Sequence, residues 1–187
     1  MTKGKEMKRL NFQRVKRNHA KYGSFAVWNP NDLTDTKVIE KSVSKLHARI
    51  VIVGLNASGK VRAFGNFHGR KAGTPGRGNR DSWLRDAFNN PKSPCRGAYI
   101  TDVFKRSVVV RQNQLNVSER QKDKARKLFE RELRDVGARS PIFLTLGKRA
   151  NLQLLEWGYC PLAVPHYASH ISKKVWLSKV RAVVRKM

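Results

Sequence analysis

Acidic residues are scarce in this chain. Against 40 Lys and Arg there are only 13 Asp and Glu in 187 residues, a formal charge of +27. Cysteine is rarer still, with Cys95 and Cys160 alone. That excludes a disulfide scaffold, an iron–sulfur cluster and any zinc site built from four thiolates of one chain. No apolar run comes near the roughly 18 residues that a bilayer span needs. The basic start of the chain lacks an apolar h-region, so no secretory leader is expected. Hydrophobic residues make up 40% of the sequence, enough for a core, which rules out wholesale disorder. These absences lead to the expectation of a soluble, intracellular, cytoplasmic protein with no membrane partner. Its length suits one domain, since domains run to about 100–200 residues.

What the sequence does have is positive charge, and that points to a polyanionic partner. Lys and Arg that neutralise phosphates release counterions, the main drive of non-specific nucleic-acid binding. DNA is therefore the expected partner, and self-repulsion of the basic surface favours a monomer. The first 21 residues are densest, with eight Lys or Arg and one acid, Glu6. We accordingly read residues 1–25 as a basic N-terminal arm and 26–187 as a single domain.

Arg49 to Leu55 (RIVIVGL) is a β-branched apolar run, as a buried parallel strand reads. Before it, Val38, Ile39, Val43 and Leu46 fall at helical spacing. After it, from Asn56 to Asn79, Gly59, Gly65, Gly69, Gly73, Pro75, Gly76 and Gly78 forbid a helix and predict a long loop. A short helix over about 80–88 and a second strand, Gly97 to Phe104, follow. Ala125, Leu128, Phe129, Leu133 and Val136 mark one face of a helix with Ser118 as N-cap and Gly137 as its stop. Pro141 to Leu146 reads as a third strand, 149–156 as a helix, Leu162 to Val164 as a fourth strand and about 172–186 as a last helix. Strands alternating with helices predict an α/β fold, a three-layer α/β/α sandwich with a central, mainly parallel four-stranded sheet. Ligands of such sheets lie at the carboxyl ends of the strands.

Gly54-Leu-Asn-Ala-Ser-Gly59-Lys60 matches the spacing of a phosphate-cradling loop. Val61 stands where a Ser or Thr hydroxyl should hold magnesium. The chain then enters glycine-rich loop instead of the helix whose N-terminus would face the phosphates. An NTPase is the weaker reading.

A different set sits at the strand ends. Asn56 follows strand one, Asp102 lies near the end of strand two, and Pro165-His166-Tyr167-Ala168-Ser169-His170 follows strand four. Phe64 and Phe67 lie in the loop after Asn56. From about Arg49 onward these residues resemble the uracil-DNA glycosylase superfamily. Its first motif is Gly-x-Asn-Pro-Gly or Gly-Gln-Asp-Pro-Tyr, and its second is His-Pro-Ser-Pro-like. The likeness is nearest to the mismatch-specific branch. There the first motif also carries Asn, a Phe follows in the loop, and an Asn precedes a helix starting with Trp, as Asn79 and Trp83 do here. Ala57, Tyr167 and Ser169 replace prolines of the family pattern, and the cysteine count excludes the iron–sulfur branch.

The resemblance implies a monofunctional DNA glycosylase without a cofactor. Breaking an N-glycosidic bond makes an oxocarbenium-like sugar and an anionic base. His166 resembles the residue that donates near the base O2. Asn56 cannot act as a base but can orient the attacking water. Phe67 or Phe64 would stack on the flipped base. His170 or Ile171 would wedge the duplex, with Lys173 and Lys174 on phosphates, and Lys60 and Arg80 are further DNA contacts. In uracil-specific relatives the position of Asp102 is often Asn. An ionised carboxylate only accepts, so it would repel uracil O4 and accept from the N4 amine of cytosine. Because excising ordinary cytosine would destroy the host genome, the expected substrate is a modified cytosine, such as one in viral DNA, and the role antiviral defence. Other readings stay open. Asp102 could cap a turn, leaving a uracil or mismatch repair enzyme, or the chain could be a non-catalytic nucleic-acid binder. His166 and His170 have an i, i+4 spacing that suits zinc, but no third ligand is evident, so no metal is expected.

Overall fold

The computed structural model describes residues 9–56, 63–69, 81–105 and 117–187. The elements run α1 (Arg9–His19), β1 (Ser24–Phe25), α2 (Lys37–Lys41), a 3-10 turn (Val43–Lys45), β2 (His47–Asn56), α3 (Asp81–Phe88), β3 (Ala98–Phe104), α4 (Glu119–Val136), β4 (Ile142–Leu146), α5 (Lys148–Glu156), β5 (Leu162–Val164) and α6 (Lys173–Val184). Five strands form one sheet in the order β1-β3-β2-β4-β5. β3, β2, β4 and β5 are parallel, and β1 runs antiparallel to β3 at the edge. The fold is thus the expected α/β sandwich with one more strand than predicted. β1 is two residues long, too short to leave a period-2 signal in the sequence.

The pattern of each central strand explains its place. Along β2, Val51, Val53 and Leu55 pack with the α1, α4 and α5 layer, around Phe12, Phe129 and Leu154. Ile50 and Ile52 face the other way, toward Leu84 and Phe88 of α3 and Trp176 and Val180 of α6. Both faces are covered, which is why β2 is apolar without alternation. Gly137, at φ +76, ends α4 in the left-handed conformation that a residue without Cβ adopts at no steric cost. No helix among the described residues is long and apolar enough to cross a membrane.

The basic-arm expectation for 1–25 needs correction from residue 9 onward. Phe12 and Val15, three apart on α1, are 3% and 0% exposed, and α1 packs on α4. His19 Nε2 lies 2.8 Å from Asp135 Oδ2, tying the end of α1 to α4. An apolar stripe of only two residues was hidden by the cations around it.

This placement has a measurable consequence. Phe12→Ala should destabilise the protein by about 3–5 kcal/mol in urea unfolding, as large-to-small core changes do. Gln13→Ala, on the exposed side of the same helix, should stay within about 0.5 kcal/mol. A free arm would show no difference between the two.

Candidate active site

The order of the parallel strands, β3-β2-β4-β5, makes a switch point between β2 and β4. The next helix after β2, α3, covers one face of the sheet and the helix after β4, α5, covers the other, the arrangement at which such sheets bind ligands. Asn56 ends β2 at this point, in register with Phe104 of β3. Gly54 is in register with Asp102. Strand alternation therefore puts Asn56 and Asp102 on one face of the sheet, two residues apart along it.

His166 follows β5 and packs on Gly147, the residue that links β4 to α5. A Cβ on Gly147 would lie 3.0 Å from the Cβ of His166, and its φ of +99 already disfavours a side chain. The Trp176 indole donates to the carbonyl of Pro165 at 2.7 Å, fixing the start of the His166 segment to α6. His166 Nδ1 accepts from the Ala168 N–H at 3.0 Å. That bond assigns the neutral ring its proton at Nε2, so His166 presents a donor. Its ring stacks on Tyr167, with centroids 4.5 Å apart.

Asp102 is the electrostatic centre. It is 2% exposed, and its carboxyl is pushed up to about 6 by burial, against the pull of the Asn66 hydrogen bond and of Lys105. Asn66 donates to Oδ2 at 2.7 Å. Oδ1 lies against Gly54, where an added Cβ would meet it at 2.2 Å and the Phe67 ring tip at 3.2 Å. Only glycine at position 54 lets the carboxylate and the ring share that corner. Phe67 holds φ +65, a conformation costly for a bulky side chain and concentrated at functional sites.

Of the two candidate stacking aromatics, the structure brings only Phe67 to Asp102. Phe64 is 1% exposed on the opposite side, stacked on Phe12 at 5.7 Å and packed near Phe25 at 5.9 Å. Both candidates are core residues, Phe67 on the face of α3 and α6 at 8% exposure. His170 is exposed at the turn before α6, while Ile171 is partly buried against the α3–α6 core. Of these two, His170 is the one at the surface. Lys174 is exposed, and Lys173 pairs with Asp86 Oδ2 of α3 at 2.5 Å. Lys60 and Arg80 lie outside the described residues. No cluster of three metal-ligating side chains occurs among the described residues.

Three residues of the site were missed from sequence. Asn66 lies between the two phenylalanines, and nothing in its neighbours marks it as Asp102's partner. Asp81, the first residue of α3, accepts a hydrogen bond from Tyr167, and burial raises its carboxyl. Tyr167 had figured only as a missing proline. Its phenol is held well above its ordinary range by burial, then by the Asp81 and Asp102 charges. Tyr167, Asp81 and Asp102 are thus one electrostatic group, with the His166 ring stacked on Tyr167.

The raised carboxyl of Asp102 gives a stability signature. A folded state that holds its proton more tightly than the unfolded chain loses stability as pH rises from the ordinary 3.8 to about 6. At about 1.36 kcal/mol per unit, the loss is on the order of 3 kcal/mol. Unfolding free energies of wild type and Asp102→Asn measured from pH 3.5 to 7.5 should diverge over that window, the variant gaining relative to wild type. Parallel curves would mean that Asp102 titrates in its ordinary range.

Compared with known proteins, the sequence matches no protein-family model and no curated protein, so function has to be argued from the geometry of these strand ends.

Proposed function

We propose that the protein is a monofunctional DNA glycosylase that flips a pyrimidine out of DNA and hydrolyses its N-glycosidic bond. The observation that carries this reading is the buried Asp102 carboxylate sharing the Gly54 corner with the Phe67 ring. An aromatic face with a hydrogen-bonding edge beside it is what a flipped base needs. A donor and a polar strand end complete the set at the same switch point.

The chemistry follows from the groups present. The C1′–N1 bond breaks with its electron pair going to the base, and charge grows on O2. The Nε2–H of His166 is the donor aimed at such charge. Asn56 holds the water that adds to C1′, and the water's proton passes to solvent. Phe67 stacks on the base. Ionised Asp102 accepts from an exocyclic N4 amine, which makes a cytosine-type base the substrate. A modified cytosine in foreign DNA, excised in defence, reconciles that preference with a host genome full of cytosine. The net charge of +27 supplies affinity for the DNA backbone regardless of sequence.

The test is base release from duplexes carrying uracil, a thymine mismatch, cytosine or a bulky 5-modified cytosine, read as strand breaks after alkali. Breaks at modified cytosine are the expected result. Breaks at uracil alone would mean a repair enzyme in which Asp102 does not read the base. Asn56→Ala should lower single-turnover rates by about 10²-fold, and His166→Ala by about 10²–10³-fold, with DNA affinity retained in both. Tight binding with no breaks on any substrate would leave a non-catalytic DNA-binding protein.

A further inference from the structure

We propose that Asn66 sets base specificity at this site, by occupying one oxygen of Asp102 and reserving the other, Oδ1, for the exocyclic group of the base. This rests on the glycosylase reading and names the residue that orients its selectivity.

Both hydrogens of the Asn66 amide are spent. One goes to Asp102 Oδ2 at 2.7 Å and the other to the backbone carbonyl of Tyr22 at 2.6 Å. A backbone carbonyl only accepts, and so does an ionised carboxylate. A flipped amide would turn its oxygen toward these two acceptors. The Tyr22 carbonyl therefore locks Asn66 as a donor. Asn66 is itself 8% exposed, so both bonds are made where water competes little.

The lock determines where a proton on Asp102 sits. Oδ2 accepts from Asn66, and a carbonyl oxygen accepts better than a hydroxyl oxygen, so protonation favours Oδ1, at the corner with Gly54 and the Phe67 ring. A base stacked on that ring meets Oδ1. Ionised, Oδ1 accepts from an amine; protonated, it donates to a carbonyl. The groups facing Asp102 are Asn66 from the loop, Lys105 from the end of its own strand, Glu132 from α4 and Tyr167 from the segment after β5. Tyr167 is tied in turn to Asp81 of α3. Burial moves the carboxyl up to about 6 and the Asn66 bond pulls it down. One carboxyl thus reads amine bases above its titration and carbonyl bases below it.

The wild-type protein alone provides the first test, using matched duplexes with cytosine or uracil and with their 5-hydroxymethyl derivatives. The kcat/KM for amine bases should fall as pH drops through about 6, while that for the matching carbonyl bases rises. Carbonyl bases preferred at every pH would overturn the proposal and leave the glycosylase reading standing. Release of no base from any duplex would overturn both.

Asn66→Ala then isolates the positioning role. Freed of its donor, Asp102 should titrate at higher pH, so the acid limb of the amine-base profile should move upward. The amine-to-carbonyl preference should fall about 5- to 150-fold, the range that an unsatisfied buried polar group produces. A carbon-13 titration of the Asp102 carboxyl in both proteins should show the same upward shift without any substrate. An equal drop for both base types with an unmoved acid limb and unmoved titration would make Asn66 only a tie in the loop.

Discussion

The segment from residue 20 to 28 is strapped across the loop at 64–68, and the site depends on that strap. Among the described residues five hydrogen bonds make it. Phe64 N–H donates to Ala20 at 2.6 Å, Ser24 Oγ to the Phe64 carbonyl at 2.9 Å and Asn66 to Tyr22 at 2.6 Å. The Trp28 indole donates to the Phe67 carbonyl at 3.0 Å and His68 to Phe25 at 3.2 Å. Phe64 and Phe67 both sit at positive φ, each costing about 1–3 kcal/mol. Five bonds at a net 0.5–1.5 kcal/mol each are of the size that offsets this. Without the strap, the loop would relax and Phe67 would leave the Gly54 corner. The residues that look most like a disposable tail are therefore scaffold for the site.

Strand β3 divides two kinds of polar environment between its faces. Tyr99 and Thr101 point toward α4, where both donate to Glu132, at 2.6 and 2.9 Å. Lys105 closes this network, pairing with Glu132 and donating to the Asp102 carbonyl. Glu132 is 0% exposed, and a buried carboxylate is tolerable only with partners of this kind. The network fixes the end of β3 from behind. On the front, Asn66 is the side-chain donor to Asp102 Oδ2 among the described residues. The two acids of neighbouring faces thus differ in character. Glu132 is held by Tyr99, Thr101 and Lys105 and is structural, and Asp102 has Oδ1 at the corner with Gly54 and Phe67.

Much of this was legible in the sequence, and what was not has physical causes. β2, β3, β4 and β5 announce themselves because parallel strands covered on both faces must be apolar throughout. The ends of α4 were marked by Ser118 and Gly137, whose roles are local. Asn56, Asp102 and His166 were found because strand ends are where α/β sheets work. Phe64 and Phe67 were indistinguishable, since three residues apart in a glycine-rich loop carry no periodic signal. The sheet separates them, sending Phe64 into the core on one face with Phe12 and Phe67 into the core on the other, beside Asp102. Asn66, Asp81 and Tyr167 take their meaning from contacts 36 to 86 residues away in sequence, which no local pattern encodes.

Gly54 shows how one residue can serve two opposite readings. In sequence it opens a match to a phosphate-binding loop, where glycine lets the backbone approach an anion. In the fold it lies inside β2, where glycine weakens a strand and needs a reason to be there. The reason is Asp102 Oδ1, which an added Cβ would meet at 2.2 Å. The space that a phosphate-binding loop would offer to an anion is taken by an anion of the protein itself. Above about pH 6 that carboxyl is charged, and a phosphate brought to the same corner would meet like charge in a poorly hydrated site. A neutral base with an amine edge meets an acceptor there instead. The residue that counts against the nucleotide-triphosphate reading is thus the one on which the base-reading proposal stands.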